Sequence, residues 1–227
     1  MNLETYLTML NNVYIPGTNN HPEHNSNPHY WSILLKQLTI NSEKFNNKNF
    51  LDFGCGKGRN VINAHSLVKW KTADGVDISA NNINFCKINY SNYPSTFYLN
   101  NGKDLSELES EKYNFVMSTI VLQHICVYDL RVALLKEIYR VMSPNAVFSF
   151  QMGFGDMSFV KDAQISKYYD NNYTALNSNG TYDVRVENPD NLVQDLELIG
   201  FKNTSYVIEK SWADGGHLYW IYVETYK

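Results

Sequence analysis

Residues 51–60 read LDFGCGKGRN, with three glycines (Gly54, Gly56 and Gly58) placed after an apolar run and before a helical pattern. A strand, a glycine turn and a helix in that order build a loop that accepts close approach and aims its first helical amides at whatever lies there. The spacing sorts the candidate ligands. A dinucleotide fingerprint, G-x-G-x-x-G, needs its third glycine at position 59, which is Arg59. A phosphate loop needs Gly-Lys-Ser/Thr after four spacers, and the stretch has none. Ligands held by their phosphates therefore match it poorly.

Outward from this loop, the short apolar runs FLDF, TADGVDI, TFYL, YNFVMS and AVFSFQM alternate with helical stretches. One helix follows Gly58 (Val61, Ala64, Val68), and one follows Ser79 as its cap (Ile83, Cys86). A third covers 127–142, with Leu130, Leu134, Ile138 and Val141 on one side and Pro144 as its stop. Repeated β-α-β units predict an α/β fold, a Rossmann-like doubly wound sheet that is mostly parallel with helices on both faces. Its ligand crevice should lie at the carboxyl ends of the strands. Further on, Pro189 opens and Gly200 closes a helix bearing Leu192, Leu196 and Ile199. Strands near 204–209 and 217–225 form an antiparallel hairpin around a DGG turn, making seven strands. Upstream, Leu3, Tyr6, Leu7 and Leu10 share one helical face, as do Trp31, Leu34, Leu35 and Leu38.

Composition narrows the partners. The 227 residues carry a formal charge of −4 and no block of Lys and Arg, so nucleic acid is not favoured. No apolar run reaches the roughly 18 residues that cross a bilayer, and MNLETYLTML lacks a basic region and a signal cleavage pattern. The expectation is a cytoplasmic protein without a membrane partner. Cys55, Cys86 and Cys126 lack paired spacing and read as reduced, buried thiols.

Taken together, these segments resemble the class I S-adenosylmethionine-dependent methyltransferases. LDFGCGKGRN resembles that family's first motif, and GVDIS its second strand end, where Asp77 would accept from the ribose hydroxyls. LNNGKDL resembles the loop that holds the adenine, with Asn101 where the family often has Asp and Gly102 behind it. YNFVMSTIVLQHI resembles the fourth strand and its turn, with Asn114 at a usual Asp position. EIYRVMSPNAVFSFQ resembles the helix and fifth strand, with Asn145 in place of the customary turn glycine. The implied cofactor is S-adenosyl-L-methionine, with no metal. By resemblance its contacts come from Asp52, Gly54, Cys55, Gly56, Arg59, Asp77, Ile78, Asn101, Gly102, Ser118 and Thr119. Arg59 reads either as a partner of the cofactor carboxylate or as a solvent-facing residue of the first helical turn. Asp52 reads either as a contact of the cofactor amino group or as a cap of the turn. The implied organisation is one methyltransferase domain, divided into an N-terminal helical cap or lid (1–47), a cofactor-binding core (48–152), a substrate-side insertion (153–187), and a C-terminal helix and hairpin (188–227).

Methyl transfer from a sulfonium is an in-line displacement, and a nucleophile that begins protonated needs a base. His124, a few residues past the fourth strand, is the candidate, with a packing role as its alternative. The turn 118–121, Ser-Thr-Ile-Val, lacks the Asn/Asp-Pro-Pro-aromatic pattern of base-methylating relatives. It also lacks the paired glutamates of arginine-modifying ones. A small-molecule acceptor modified at oxygen or nitrogen is expected. The alternatives are an RNA or protein methyltransferase, or a non-catalytic subunit that binds S-adenosylmethionine. His21, His24 and His29 lack the spacing of a zinc site. Tyr14, His29, Tyr30 and Trp31 are lid candidates, although Trp31 also fits the core. Tyr168, Tyr169 and Tyr173 are candidates for a substrate wall, and Trp212 and His217 for shaping the hairpin.

Overall fold

A computed structural model describes residues 2–14, 31–155, 165–173, 183–210 and 218–227. Its centre is a sheet in the order β3 (Phe97–Leu99), β2 (Thr72–Asp77), β1 (Asn49–Phe53), β4 (Tyr113–Ser118), β5 (Met142–Phe154). These strands run parallel. On the far side of β5, β9 (Tyr219–Tyr226) pairs antiparallel along Val147 to Phe154, and β8 (Lys202–Lys210) pairs antiparallel with β9. These are the seven strands expected.

Two short strands from the segment 153–187 join them. In β7 (Asp183–Val186), Arg185 pairs with Gly153, and β6 (Ile165–Ser166) pairs with β7. Since β9 already holds the other edge of Gly153, β7 takes the edge of β5 that β4 vacates after Ser118 pairs with Phe150. Strands β6 and β7 thus extend the sheet directly beyond the turn that follows β4.

Alternation along each strand sends apolar side chains to both faces. One face is covered by α1 (Leu3–Tyr14), α6 (Tyr128–Val141) and α7 (Pro189–Ile199), which bury Tyr6, Leu10, Leu134, Ile138, Leu192 and Leu196. The other is covered by α2 (Trp31–Leu34), α3 (Lys36–Ile40), α4 (Arg59–Leu67) and α5 (Ala80–Asn89). There Trp31, Leu38, Val61, Ala64 and Ile83 are buried, so Trp31 belongs to the core. Each buried Leu, Ile or Val among these contributes roughly 1.5–3 kcal/mol.

The helix ends follow the expected chemistry. Ser79 Oγ accepts from Asn82 N at 3.2 Å, and Asn188 Oδ1 accepts from Asp190 N at 3.0 Å. Gly200, at φ +118°, closes α7 by donating to Leu196 O and Glu197 O. One boundary moves. Met142 opens β5 instead of ending α6, and the reversal is made by Asn145 at φ +62°, the left-handed geometry usually reserved for glycine. The DGG turn and the residues Trp212 and His217 lie outside the described residues, as do His21, His24, His29, Tyr30 and the side chain of Tyr14. Among the described residues no helix is long and apolar enough to cross a membrane.

Candidate active site

A cavity of about 230 Å³ opens at the carboxyl ends of β1, β2 and β4. Its floor is the glycine loop. Gly54 N and Cys55 N both donate to Val76 O, at 2.8 and 3.0 Å, which stitches the start of the loop to β2. At the end of β2, Asp77 Oδ2 accepts from Gly56 N and Oδ1 from Ser79 N, each at 2.8 Å. Burial pushes the Asp77 carboxyl upward, and the Ser79 and Gly56 amides draw it back toward the ionised form. The carboxylate therefore clamps the centre of the loop and still faces the cavity.

The glycines answer to the protein's own packing as well as to a ligand. A Cβ on Gly54 would lie 2.1 Å from Val121 Cγ2, and Gly54 has φ +77°. A Cβ on Gly58 would lie 3.0 Å from Tyr90 and 3.1 Å from Cys86 Sγ. At these two positions the close approach comes from the turn after β4 and from α5.

Of the residues expected around the cofactor, Gly54, Cys55, Gly56, Arg59, Asp77, Ile78, Gly102 and Thr119 line the cavity. His124 lines it as well. Three do not. Asp52 is fully buried on β1 and neither carboxylate oxygen makes a hydrogen bond of normal geometry. Burial raises its carboxyl to about 7, against the pull of the Asn60 amide and the charge of Arg59. Ser118 is buried and donates to Phe53 O at 3.0 Å, joining β4 to β1. Asn101 is exposed and held in a local turn, where its Oδ1 accepts from Lys103 N at 2.7 Å and Asp104 N at 3.0 Å.

Asn100, one residue earlier, is the side chain at the cavity, and its Oδ1 accepts from Gly102 N at 2.6 Å. A pair of adjacent asparagines after a three-residue strand hides this register from the sequence. Tyr168, Tyr169 and Tyr173 lie away from the cavity wall. Tyr168 instead donates to Asp195 Oδ2 at 2.8 Å, and Tyr173 packs edge-on against Tyr6. The buried thiol of Cys55 is pushed well up by desolvation, which makes it unreactive.

Two further contributors escaped the sequence reading. Asp183, the first residue of β7, places Oδ1 2.5 Å from His124 Nδ1. Its signal was the alternation TYDVRV, which marks a strand with an acid at its mouth. Leu10 of α1 reaches the cavity wall, so the first helix covers the site as well as the core. The turn after β4 is strained. Ile120 has φ +57°, a conformation that costs a β-branched residue on the order of 1–3 kcal/mol.

The comparisons with known proteins agree with this architecture. A family model described as a methyltransferase domain matches residues 51–150, from the glycine loop through β5. No curated protein sequence matches the chain significantly. An S-adenosylmethionine-dependent methyltransferase from Methanosarcina mazei superposes with a TM-score of 0.62 at 17% identity, over 82% of this chain and 95% of its own. One from Mesorhizobium loti gives 0.64 at 15%, over 87% and 97%. The Haemonchus contortus phosphoethanolamine N-methyltransferase 2, in complex with phosphomonomethylethanolamine and S-adenosylhomocysteine, gives 0.62 at 15%, over 99% of this chain and 57% of its own. The chain therefore shares the fold of S-adenosylmethionine-dependent methyltransferases, and its residues 51–150 match a methyltransferase-domain model.

The residues present fit the cofactor, S-adenosyl-L-methionine. An acid stands beside a backbone loop, an apolar patch of Ile78 and Ile120 suits a flat base, and the buried, unpartnered Asp52 carboxylate beneath the loop suits a cationic amino-acid end.

Proposed function

We propose that this enzyme methylates an oxygen or nitrogen of a small-molecule acceptor in the cytoplasm. The observation that carries the reading is one cavity whose lining includes Asp77, His124 and Leu10. A net charge of −4 adds no attraction for polyanions.

Asp77 would hold the ribose hydroxyls chiefly through Oδ2, which accepts from Gly56 N and keeps a second lone pair, whereas Oδ1 accepts from Ser79 N and, at 3.5 Å, from Asn82 Nδ2. Asn100 and the Gly102 backbone would flank the adenine. The loop amides and Arg59 would receive the carboxylate, with Asp52 supplying negative potential below the ammonium. Thr119 at the end of β4 and Ser118 behind it would shape the same end. When bound, S-adenosylmethionine supplies a methyl group activated by its sulfonium. The chain's own contribution is alignment of the acceptor, exclusion of water by α1 and Val121, and acceptance of a proton at His124.

The test is transfer of label from methyl-tritiated S-adenosylmethionine, offered separately to a metabolite library, to total RNA and to a protein extract. Label in the small-molecule fraction is expected. Label confined to RNA or protein would overturn the acceptor class.

A further inference from the structure

We infer that Asp183 is a positioning residue that sets His124 as a base, and that the acceptor arrives with the proton still on its nucleophile, as a hydroxyl does. This rests on the proposed reading of the cavity as a methyl-transfer site.

His124 ends a short 3-10 turn (Leu122–His124), and Asp183 begins β7 on the vacated edge of β5. Their 2.5 Å contact joins two partly buried side chains, 21% and 18% exposed. A carboxylate at that distance accepts from Nδ1–H, so the neutral ring carries its lone pair on Nε2. Both partners are held from behind. Val184 and Val186 are fully buried, which locks β7 in the core. Arg131, itself buried, donates from Nη1 to Ile125 O at 2.6 Å and from Nη2 to Tyr168 O. One guanidinium therefore ties the residue after His124 to the segment 165–173, whose strand β6 pairs with β7 at Asp183 and Val184. The charge of Arg131 is accompanied by the Tyr128 and Tyr168 rings, whose hydroxyls both donate to Asp195 at 2.8 Å.

A preset base with a fixed tautomer matters most for one class of nucleophile. An uncharged amine attacks through its lone pair and sheds its proton afterwards. An alkylammonium with a pKa of about 10 keeps a small reactive fraction of neutral amine near neutrality, and a thiol ionises readily there. A hydroxyl is a poor nucleophile until its proton leaves. In the proposed step the hydroxyl proton passes to His124 Nε2 and the oxygen bonds the methyl carbon. The electron pair of the broken carbon–sulfur bond stays on sulfur. Positive charge thereby appears on the imidazolium beside Asp183, where the carboxylate stabilises it.

The experiment is nitrogen-15 NMR of the histidine rings in the full chain at alkaline pH, with the His124 signals assigned by their loss in His124→Gln. The wild type should show Nδ1–H, Asp183→Ala should move the proton to Nε2, and Asp183→Glu should restore it. Nε2–H in the wild type, or a tautomer indifferent to Asp183→Ala, would overturn the assignment. Transfer from carbon-13-methyl S-adenosylmethionine into the metabolite library should yield a methoxy resonance. With that acceptor, Asp183→Ala should lower kcat roughly 10-fold to 100-fold and leave KM for the cofactor within about twofold. A new N-methyl or S-methyl resonance overturns the hydroxyl while S-adenosylhomocysteine still binds calorimetrically. Failure to bind S-adenosylhomocysteine would instead remove the methyl-transfer reading itself.

Discussion

Asp52 on β1 and Asp74 on β2 are both fully buried, one step apart on paired strands, and they meet opposite fates. Asp74 accepts from Thr72 Oγ1, from Thr96 N at 2.9 Å, from Lys112 Nζ at 2.9 Å and from Tyr113 OH at 2.8 Å. Asp52 accepts no hydrogen bond of normal geometry, feels only the pull of the Asn60 amide and the Arg59 charge, and its carboxyl rises to about 7. The satisfied acid lies within the sheet, and the unsatisfied one lies at its carboxyl end, under the glycine loop. The contrast separates a group retained for the fold from one whose burial the fold tolerates only at a site that handles charge.

The largest effect should come from Asp74→Ala. It strands the Lys112 ammonium and the Tyr113 hydroxyl, and urea unfolding should show a loss of about 3–5 kcal/mol. A loss below about 1 kcal/mol would mean that water already screens the network. Asp52→Asn should act in the opposite direction on the ligand-free protein. The folded carboxyl lies at about 7, above its ordinary 3.8, so the fold favours the protonated form. Asp52's contribution is therefore most favourable below about pH 4 and is lost as pH rises toward about 7. At pH 8 the amide should stabilise the protein by on the order of 2 kcal/mol and remove that part of the pH slope. The same variant should bind S-adenosylhomocysteine more weakly. A variant less stable at pH 8 would show that the carboxylate has a partner in solution.

The smallest effects should distinguish two neighbouring asparagines. Asn101→Ala should leave cofactor affinity within about twofold, since its hydrogen bonds close a local exposed turn. Asn100→Ala should weaken binding by about tenfold, because it releases the Gly102 amide at the cavity edge. Equal effects would restore the register expected from the sequence.

The sheet was legible because its strands and helices differ in hydrophobic period, and because Ser79, Pro189 and Gly200 punctuate them with specific chemistry. The glycine loop was legible from local spacing, and Asp77 from the resemblance of GVDIS to a family's second strand end. What escaped depends on contacts far apart in the chain. Nothing in LDFGCGKGRN reveals that Val121 fills the space beside Gly54, or that Asp183, 59 residues from His124, returns to meet its ring. The unpartnered state of Asp52 has the same origin, since only folding decides which donors reach a buried acid. The partners of Tyr168 are hidden for a related reason. Aromatic residues in an irregular segment resemble an exposed lining until Arg131 and Asp195 draw Tyr128 and Tyr168 into a buried network.

The account depends on one placement, the nucleoside of the cofactor on the ledge between the Gly54–Gly58 loop and the Asp77 carboxylate. Titration calorimetry of S-adenosylhomocysteine into the wild type and Asp77→Ala tests it most directly. Binding to the wild type at one equivalent, weakened at least about tenfold in the variant, is the predicted result. Equal affinity in both proteins, or no binding to the wild type, would contradict it.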